Sequence, residues 1–345
     1  MEGAGRVMIQ LPSAVEMGLD QAYDQLLTPS FLIPLIIIVF LFKVMKILSR
    51  PEPPRVFYNS DTEGKDNRVG ALVKALPILD TPYKSPKLWG HNGHLQTLVY
   101  GIAQYKNLKR SSDARYRMRL PDGTLSTFDV FEPIAEHPEG DFTFALCPGI
   151  ANHSQNDYIR RFFHHAQEGG FRCAILNHVG ALKGIPLTTP RIFNYGSTQE
   201  YHCMVTRILE LYPQTRVIVV GFSMGGNIVT KYLGTQGREL KSHIICGVSI
   251  CQGYDAVLAA RMLQDWTGLR RLLNYIMTEK VKSVLRQNVV TAVKPHVRTG
   301  LVEEASVFAA TSLRMLDDAY SRHPLLPHHP LTTTPCFCFQ TGTGL

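Results

Sequence analysis

Ser223 sits in Gly221-Phe-Ser-Met-Gly225, and that spacing makes it the residue of this sequence best placed for covalent chemistry. A serine hydroxyl is a weak nucleophile at its free pKa, so it must be held where a base and a carbonyl carbon can both reach it. Arg216-Val-Ile-Val-Val220 before it reads as an apolar strand, and Asn227-Ile-Val-Thr-Lys-Tyr-Leu233 after it reads as a helix. Strand, Gly-x-Ser-x-Gly and helix, in that order, describe a nucleophile elbow, a turn so tight that Gly221 and Gly225 stand where a side chain would clash. The helix start aims its unbonded N–H groups at the same place, ready for a developing oxyanion. With such an elbow the acid and then the histidine base follow the serine in sequence.

The elements around the elbow must hold it rigidly. Residues 115–120 and 126–132 flank Pro121-Asp-Gly-Thr124, an Asp-Gly turn, and predict a β-hairpin. Strands are then expected at Phe142–Cys147, Arg172–Leu176, Val217–Val220 and His243–Cys251. They alternate with helices at Asp157–Gln167 (opened by Asn156 or Ser154, closed by Gly169-Gly170), Thr198–Leu211 (stopped at Pro213) and Gly226–Leu233. This order predicts an α/β fold with a mostly parallel sheet covered by helices on both faces. Residues 256–322 break the alternation with helical stretches only. Between Leu269 and Leu285 apolar residues recur at Leu269, Leu272, Leu273, Ile276, Met277, Val281, Val284 and Leu285, opposite Arg270, Arg271, Lys280, Lys282 and Arg286. The pattern predicts an amphipathic helix packed on the core, compatible with a cap whose basic face meets a membrane.

Seven cysteines, an odd number, lie mostly in apolar strand-like runs (Cys147, Cys173, Cys246, Cys251), where buried thiols act as small hydrophobes. No disulfide framework, metal motif or cofactor is implied. The net charge of +8 is spread out, and the cluster from Lys106 to Arg119 reads as a solvated face, with Arg115, Arg117 and Arg119 on one side of a strand; no nucleic-acid partner is expected. Phe31–Phe42 is an unbroken apolar run, and the stretch from Leu26 to Leu48 approaches the ~20 residues that span a bilayer. A long acidic lead and the lack of a small-x-small cleavage site favour a single membrane anchor over a signal peptide. Lys43, Lys46, Arg50 and Arg55 follow the run, which puts the catalytic part on the cytosolic side by the positive-inside rule. The domain plan is therefore a tail (1–25), an anchor (26–48), a proline-dotted linker (49–88), a core (89–255), a helical cap (256–322) and a C-terminal segment (323–345).

Longer runs carry a family resemblance. Trp89–Thr97, Ser126–Pro133, Cys147-Pro-Gly-Ile-Ala-Asn-His-Ser154, Arg172–Leu182, the elbow and Ser249–Tyr254 resemble the α/β-hydrolase 4, or YheT-like, family. The resemblance covers about residues 85–322 and implies the α/β-hydrolase fold and a membrane-anchored serine esterase acting on acylglycerols, monoacylglycerols in particular. It raises a steroid ligand. It also implies a catalytic domain on the lumenal or extracellular side, against the charge count, so the side of the endoplasmic reticulum or plasma membrane stays open. Carried across by motif, Ser223 is the nucleophile and the Met224 N–H one oxyanion donor. Ile150, in the loop after Phe142–Cys147, is the second.

The acid and base do not carry across. The resemblance implies an Asp-Asp-Pro turn after the cap and a His-Gly-Gly-His-type loop beyond it; here Thr333-Thr-Pro-Cys-Phe-Cys-Phe339 begins such a strand and Gln340–Leu345 follows. The expectation is a C-terminally truncated, impaired form without the last strands and helices of the fold. Asp317 or Asp318 with His323, His328 or His329 has the right order, but prolines surround those histidines; His91, His94, His153 and His178 precede Ser223. No triad acid or base is identified. His137 to Asp141 and His153 to Asp157 have three intervening residues, one short of an acyltransferase His-x₄-Asp. The alternative to an enzyme is a non-catalytic, membrane-anchored lipid or steroid binder, or an inactive isoform.

Overall fold

A computed structural model describes residues 28–45, 52–57, 68–86, 89–90, 92–102, 110–236 and 242–321. The chain divides into two compact units, Met1–Gln104 and Tyr105–Leu345. In the first, three α-helices are described, α1 (Pro29–Met45), α2 (Arg68–Lys74) and α3 (Gly93–Ile102), with a 3-10 turn at Pro77–Leu79. The sequence reading had missed α3. The apolar run forms α1, with Ile33 and Leu35 through Leu41 exposed. Its seventeen residues give a rod of roughly 25 Å, and no helix among the described residues is long and apolar enough to cross a membrane. Residues 26–27 and 46–48 of the expected anchor lie outside the described residues.

The second unit is built on a six-stranded sheet in the order β1-β2-β4-β3-β5-β6. Its strands are β1 (Ala114–Arg119), β2 (Leu125–Phe131), β3 (Phe142–Cys147), β4 (Arg172–Asn177), β5 (Arg216–Phe222) and β6 (Ile244–Ile250). The β1–β2 hairpin turns at Gly123 (φ 81°), where the Asp122 carboxylate accepts the Thr124 N–H at 3.0 Å. β2 runs antiparallel to β4; β4, β3, β5 and β6 are parallel. Parallel neighbours need crossovers, and the helices α4 (Asp157–Glu168), α5 (Gln199–Leu211) and α6 (Met224–Gln236) supply them. Period-two alternation then divides the buried side chains between two faces. Phe131, Leu146, Ile175 and Val220 pack with Ile159 and Phe163 of α4. Phe128, Ala145 and Val219 pack with Tyr201 and Met204 of α5, Ile228 and Tyr232 of α6 and part of the helical segment that follows.

That segment contains α7 (Ala256–Gln264) and α8 (Arg270–Gln287), with shorter helices α9 (Lys294–Arg298), α10 (Glu304–Ala309) and α11 (Leu313–Leu316). Three expectations need correction. Leu269, Leu272 and Ile276 are exposed, while Asn274, Thr278 and Lys282 join Val281, Val284 and Leu285 on the buried side of α8. Lys282 was expected outside; its ammonium instead donates to the carbonyls of Phe308 and Ala310 at 2.9 and 2.7 Å. Cys246 and Cys251 are exposed, because among the described residues the apolar β6 ends the strand order and most of its length faces solvent. Asn156 does occupy the N-cap of α4, but its side chain accepts the N–H of His153 at 2.7 Å rather than one from the helix.

Candidate active site

All the pieces of the elbow meet at the carboxyl edge of the parallel strands. β5 ends at Phe222, α6 begins at Met224, and Ser223 between them has φ 53°. A left-handed conformation at a non-glycine residue costs on the order of 1–3 kcal/mol. It survives because the turn is bonded on both sides: the Ser223 N–H donates to Ile250 O at 2.8 Å, and Ser223 O accepts the Gly226 N–H at 2.9 Å. Ala151 (φ 56°) and Cys251 (φ 57°) share this backbone state just beyond β3 and β6, so strain gathers where the three strands end. A Cβ on Gly221 would overlap the carbonyl of Gly225, and one on Gly225 would overlap those of Cys147 and Pro148. The two glycines let the start of α6 seat against the end of β3. Met224, its side chain buried, is the first residue of α6, so its N–H has no intrahelical acceptor.

The loop after β3 lies beside the serine. A Cβ placed on Gly149 would sit 3.4 Å from both Ser223 Cβ and Asn152 Nδ2. Three core contacts hold this loop. The Tyr158 hydroxyl accepts the Gly149 N–H at 2.8 Å and Asn152 Nδ2 at 3.0 Å, and His178 Nε2 lies 2.9 Å from Pro148 O. Beyond Ile150 the chain is tied down again: the Ser154 hydroxyl donates to Asp129 at 2.5 Å and its N–H to Asn177 Oδ1 at 2.9 Å. Asp129, buried, also takes two bonds from Arg115, at 2.6 and 2.9 Å. Asn152 belongs to an Asn-x-Ser sequon, yet it is 7% exposed and its amide is bonded into the loop, so the folded chain does not offer it to a glycan.

The imidazoles beside this loop are neutral at pH 7. His178 is fully buried, and desolvation holds its pKa down to about 4; a carbonyl acceptor at Pro148 then requires the Nε2–H tautomer. His153 is lowered to about 4 as well, by burial first and by the Lys280 charge second. Among the described residues two histidines follow Ser223. His243 stands before β6, at the edge of the sheet away from the elbow, and His296 is engaged at 2.6 Å with Pro190 O. Asp317 is buried near the end of the helical segment; His91, His323, His328 and His329 lie outside the described residues. No cluster of three or more His, Cys, Asp or Glu side chains suited to a metal is found among the described residues. The sequence reading passed over Tyr158, and His178 was weighed only as a base. A tyrosine in the first turn of an amphipathic helix carries no periodic signal that it reaches back to a loop.

Comparison with known proteins agrees with this geometry. A family model described as the alpha/beta hydrolase fold matches residues 143–283, from β3 through the elbow into α8. The chain is 41% identical over 289 residues to the "Abhydrolase domain-containing protein 2" of Drosophila melanogaster, covering 83% of this chain and 71% of that one. It is 40% and 39% identical over 292 residues to the "Monoacylglycerol lipase ABHD2" of Mus musculus and Homo sapiens, covering 83% of this chain and 67% of each relative.

Proposed function

This chain belongs to the α/β-hydrolase family of carboxylic ester hydrolases, in the group of α/β-hydrolase domain-containing protein 2, and from that premise we propose that Ser223 is its nucleophile and acylglycerol esters are its substrates. The observation that carries the reading is the left-handed Ser223, set between β5 and α6 against the Gly149 loop. The Ser223 hydroxyl attacks the ester carbonyl carbon as its proton passes to a base. The carbonyl oxygen gains the negative charge, and the N–H groups of Met224 and Ile150 receive it. As the tetrahedral intermediate collapses, the base returns that proton to the departing glycerol oxygen, and the acyl-serine left behind is hydrolysed by water to the free acid and serine. Removing one such donor typically costs on the order of 10²–10³ in turnover. The relatives called monoacylglycerol lipases support the substrate class.

The base and acid are unassigned. Among the described residues no acid–base pair is identified beside Ser223. Membrane association rests on α1, whose exposed Ile33 and Leu35 through Leu41 suit a bilayer interior. The experiment is hydrolysis of a monoacylglycerol dispersed in detergent, by this chain and by Ser223→Ala. Turnover that vanishes with the substitution supports Ser223 as nucleophile. Equal residual turnover in both proteins removes it.

A further inference from the structure

One support of the Gly149 loop comes from outside the sheet. Lys280, on α8 and 128 positions away in sequence, donates its ammonium to Asn152 Oδ1. We propose that Lys280 is a positioning residue for the oxyanion loop, fixing the orientation of the Asn152 amide and through it the Gly149–Ile150 backbone beside Ser223. The inference rests on the assignment of that loop made above.

The argument is one of donors and acceptors. An amide side chain has a donor end and an acceptor end of nearly the same shape, and its surroundings decide which way it points. A lysine ammonium can only donate, so Asn152 must turn Oδ1 toward it. Nδ2 then faces the Tyr158 hydroxyl, which accepts both that N–H and the Gly149 N–H. Gly149 lies beside the nucleophile: the position a Cβ would take there is 3.4 Å from Ser223 Cβ. Fixing Asn152 therefore fixes the peptide next to Ser223, and Ala151, with φ 56°, lies within the same short turn. Without the ammonium nothing selects one orientation, because the Tyr158 hydroxyl can accept from Nδ2 or, with the amide flipped, donate to Oδ1. The contact is charge-assisted, and such bonds are among the stronger ones in a folded chain.

Lys280 is not what holds its helix down. Lys282 is buried on carbonyls of α10 and its C-terminal end, Arg271 donates to Thr311 O at 3.0 Å, and Asn274 donates to Leu263 O at 3.1 Å. Lys280 is exposed as a residue, while its ammonium end lies against the loop, where desolvation lowers its pKa. Replacing it removes one bond to the loop and opens no cavity.

The test uses the 345-residue chain, as wild type, Lys280→Met, Lys280→Arg, Asn152→Ala and the Lys280→Met/Asn152→Ala pair. Amide hydrogen exchange is followed at residues 149–152 and in β3 and β5. Lys280→Met should speed exchange in the loop by about tenfold and leave both strands unchanged. Lys280→Arg should restore protection, and the pair should exchange no faster than Asn152→Ala alone. Loop exchange in Lys280→Met within a factor of about two of wild type would overturn the proposal, as would equal effects of Met and Arg. Fluorophosphonate labelling of Ser223 is measured on the same samples. A chain that never labels but shows the exchange pattern would count against the hydrolase reading and leave Lys280 as the support of this loop.

Discussion

At Ser223 and its neighbours, the recurring physical theme is polar groups made to point one way. Tyr158, His178 and Lys280 each engage a different atom of the Pro148–Asn152 loop, and Ser154 anchors its far end on Asp129. His178 does this as a neutral donor, which makes the loop sensitive to acid. Its folded-state pKa, about 4, lies below the 6.5 of the unfolded chain. Stability from this group is therefore complete above pH ~6.5 and is lost as pH falls through 6.5 to about 4, because the unfolded state takes a proton that the buried ring refuses; the span corresponds to about 3 kcal/mol. His178→Gln, which keeps an N–H donor and does not titrate, should flatten the fall. Urea unfolding at pH 7.5 and pH 4.5 measures it: the wild type should lose about 3 kcal/mol more than the variant between the two. An equal loss in both would mean that the ring is not buried as a neutral donor.

Elements set these residues in place through close backbone approach. The start of α6 rests on the end of β3 only because Gly225 has no Cβ, whereas Gly234, further along α6, has open space around it. Gly225→Ala should destabilise the chain by about 2–4 kcal/mol, or fail to fold, since the clash is with backbone that cannot rotate away. Gly234→Ala should be neutral or stabilise by up to about 1 kcal/mol through helix propensity. Thermal unfolding of the pair gives the contrast, and similar midpoints for the two variants would refute the packing. β6 presents the opposite case, an apolar strand with Ile245 half exposed and Val248 42% exposed at the end of the strand order among the described residues. Such an edge invites pairing with another chain. Val248→Lys should slow light-scattering growth at 37 °C without moving the unfolding midpoint; unchanged aggregation would place the sticky surface elsewhere.

How much of this was legible in the sequence differs from element to element. β3, β4, β5 and the hairpin announce themselves through apolar runs and an Asp-Gly turn, and the elbow glycines through their fixed spacing around Ser223. The inner face of α8 did not, because its buried Lys282 and Asn274 find carbonyl partners that only tertiary contact supplies, and buried Thr278 donates to the Asn274 carbonyl one turn back. The exposure of Cys246 was hidden for a related reason: residue type tells how a strand would like to be buried, while its place in the sheet decides whether it is. Lys280 and Asn152 meet across 128 positions, and no local pattern encodes such a pair.

For the molecule as a whole, the family assignment joins a catalytic unit to an apolar helix of seventeen residues. If α1 enters a bilayer, the chain should float with phosphatidylcholine vesicles in a density gradient. Ile36→Asp with Val39→Asp should then keep it at the bottom, because each acidic residue near the centre of an inserted helix costs roughly 3 kcal/mol. Flotation of both proteins alike would locate the lipid contact outside α1. The most direct test of the central claim is a mass-spectrometric search for a fluorophosphonate adduct on the 345-residue chain, run beside Ser223→Ala and beside wild type unfolded in guanidinium. The account predicts a slow adduct mapped to Ser223 in the folded wild type and in neither control. An adduct on another residue, or none on a chain shown to be folded, would contradict it.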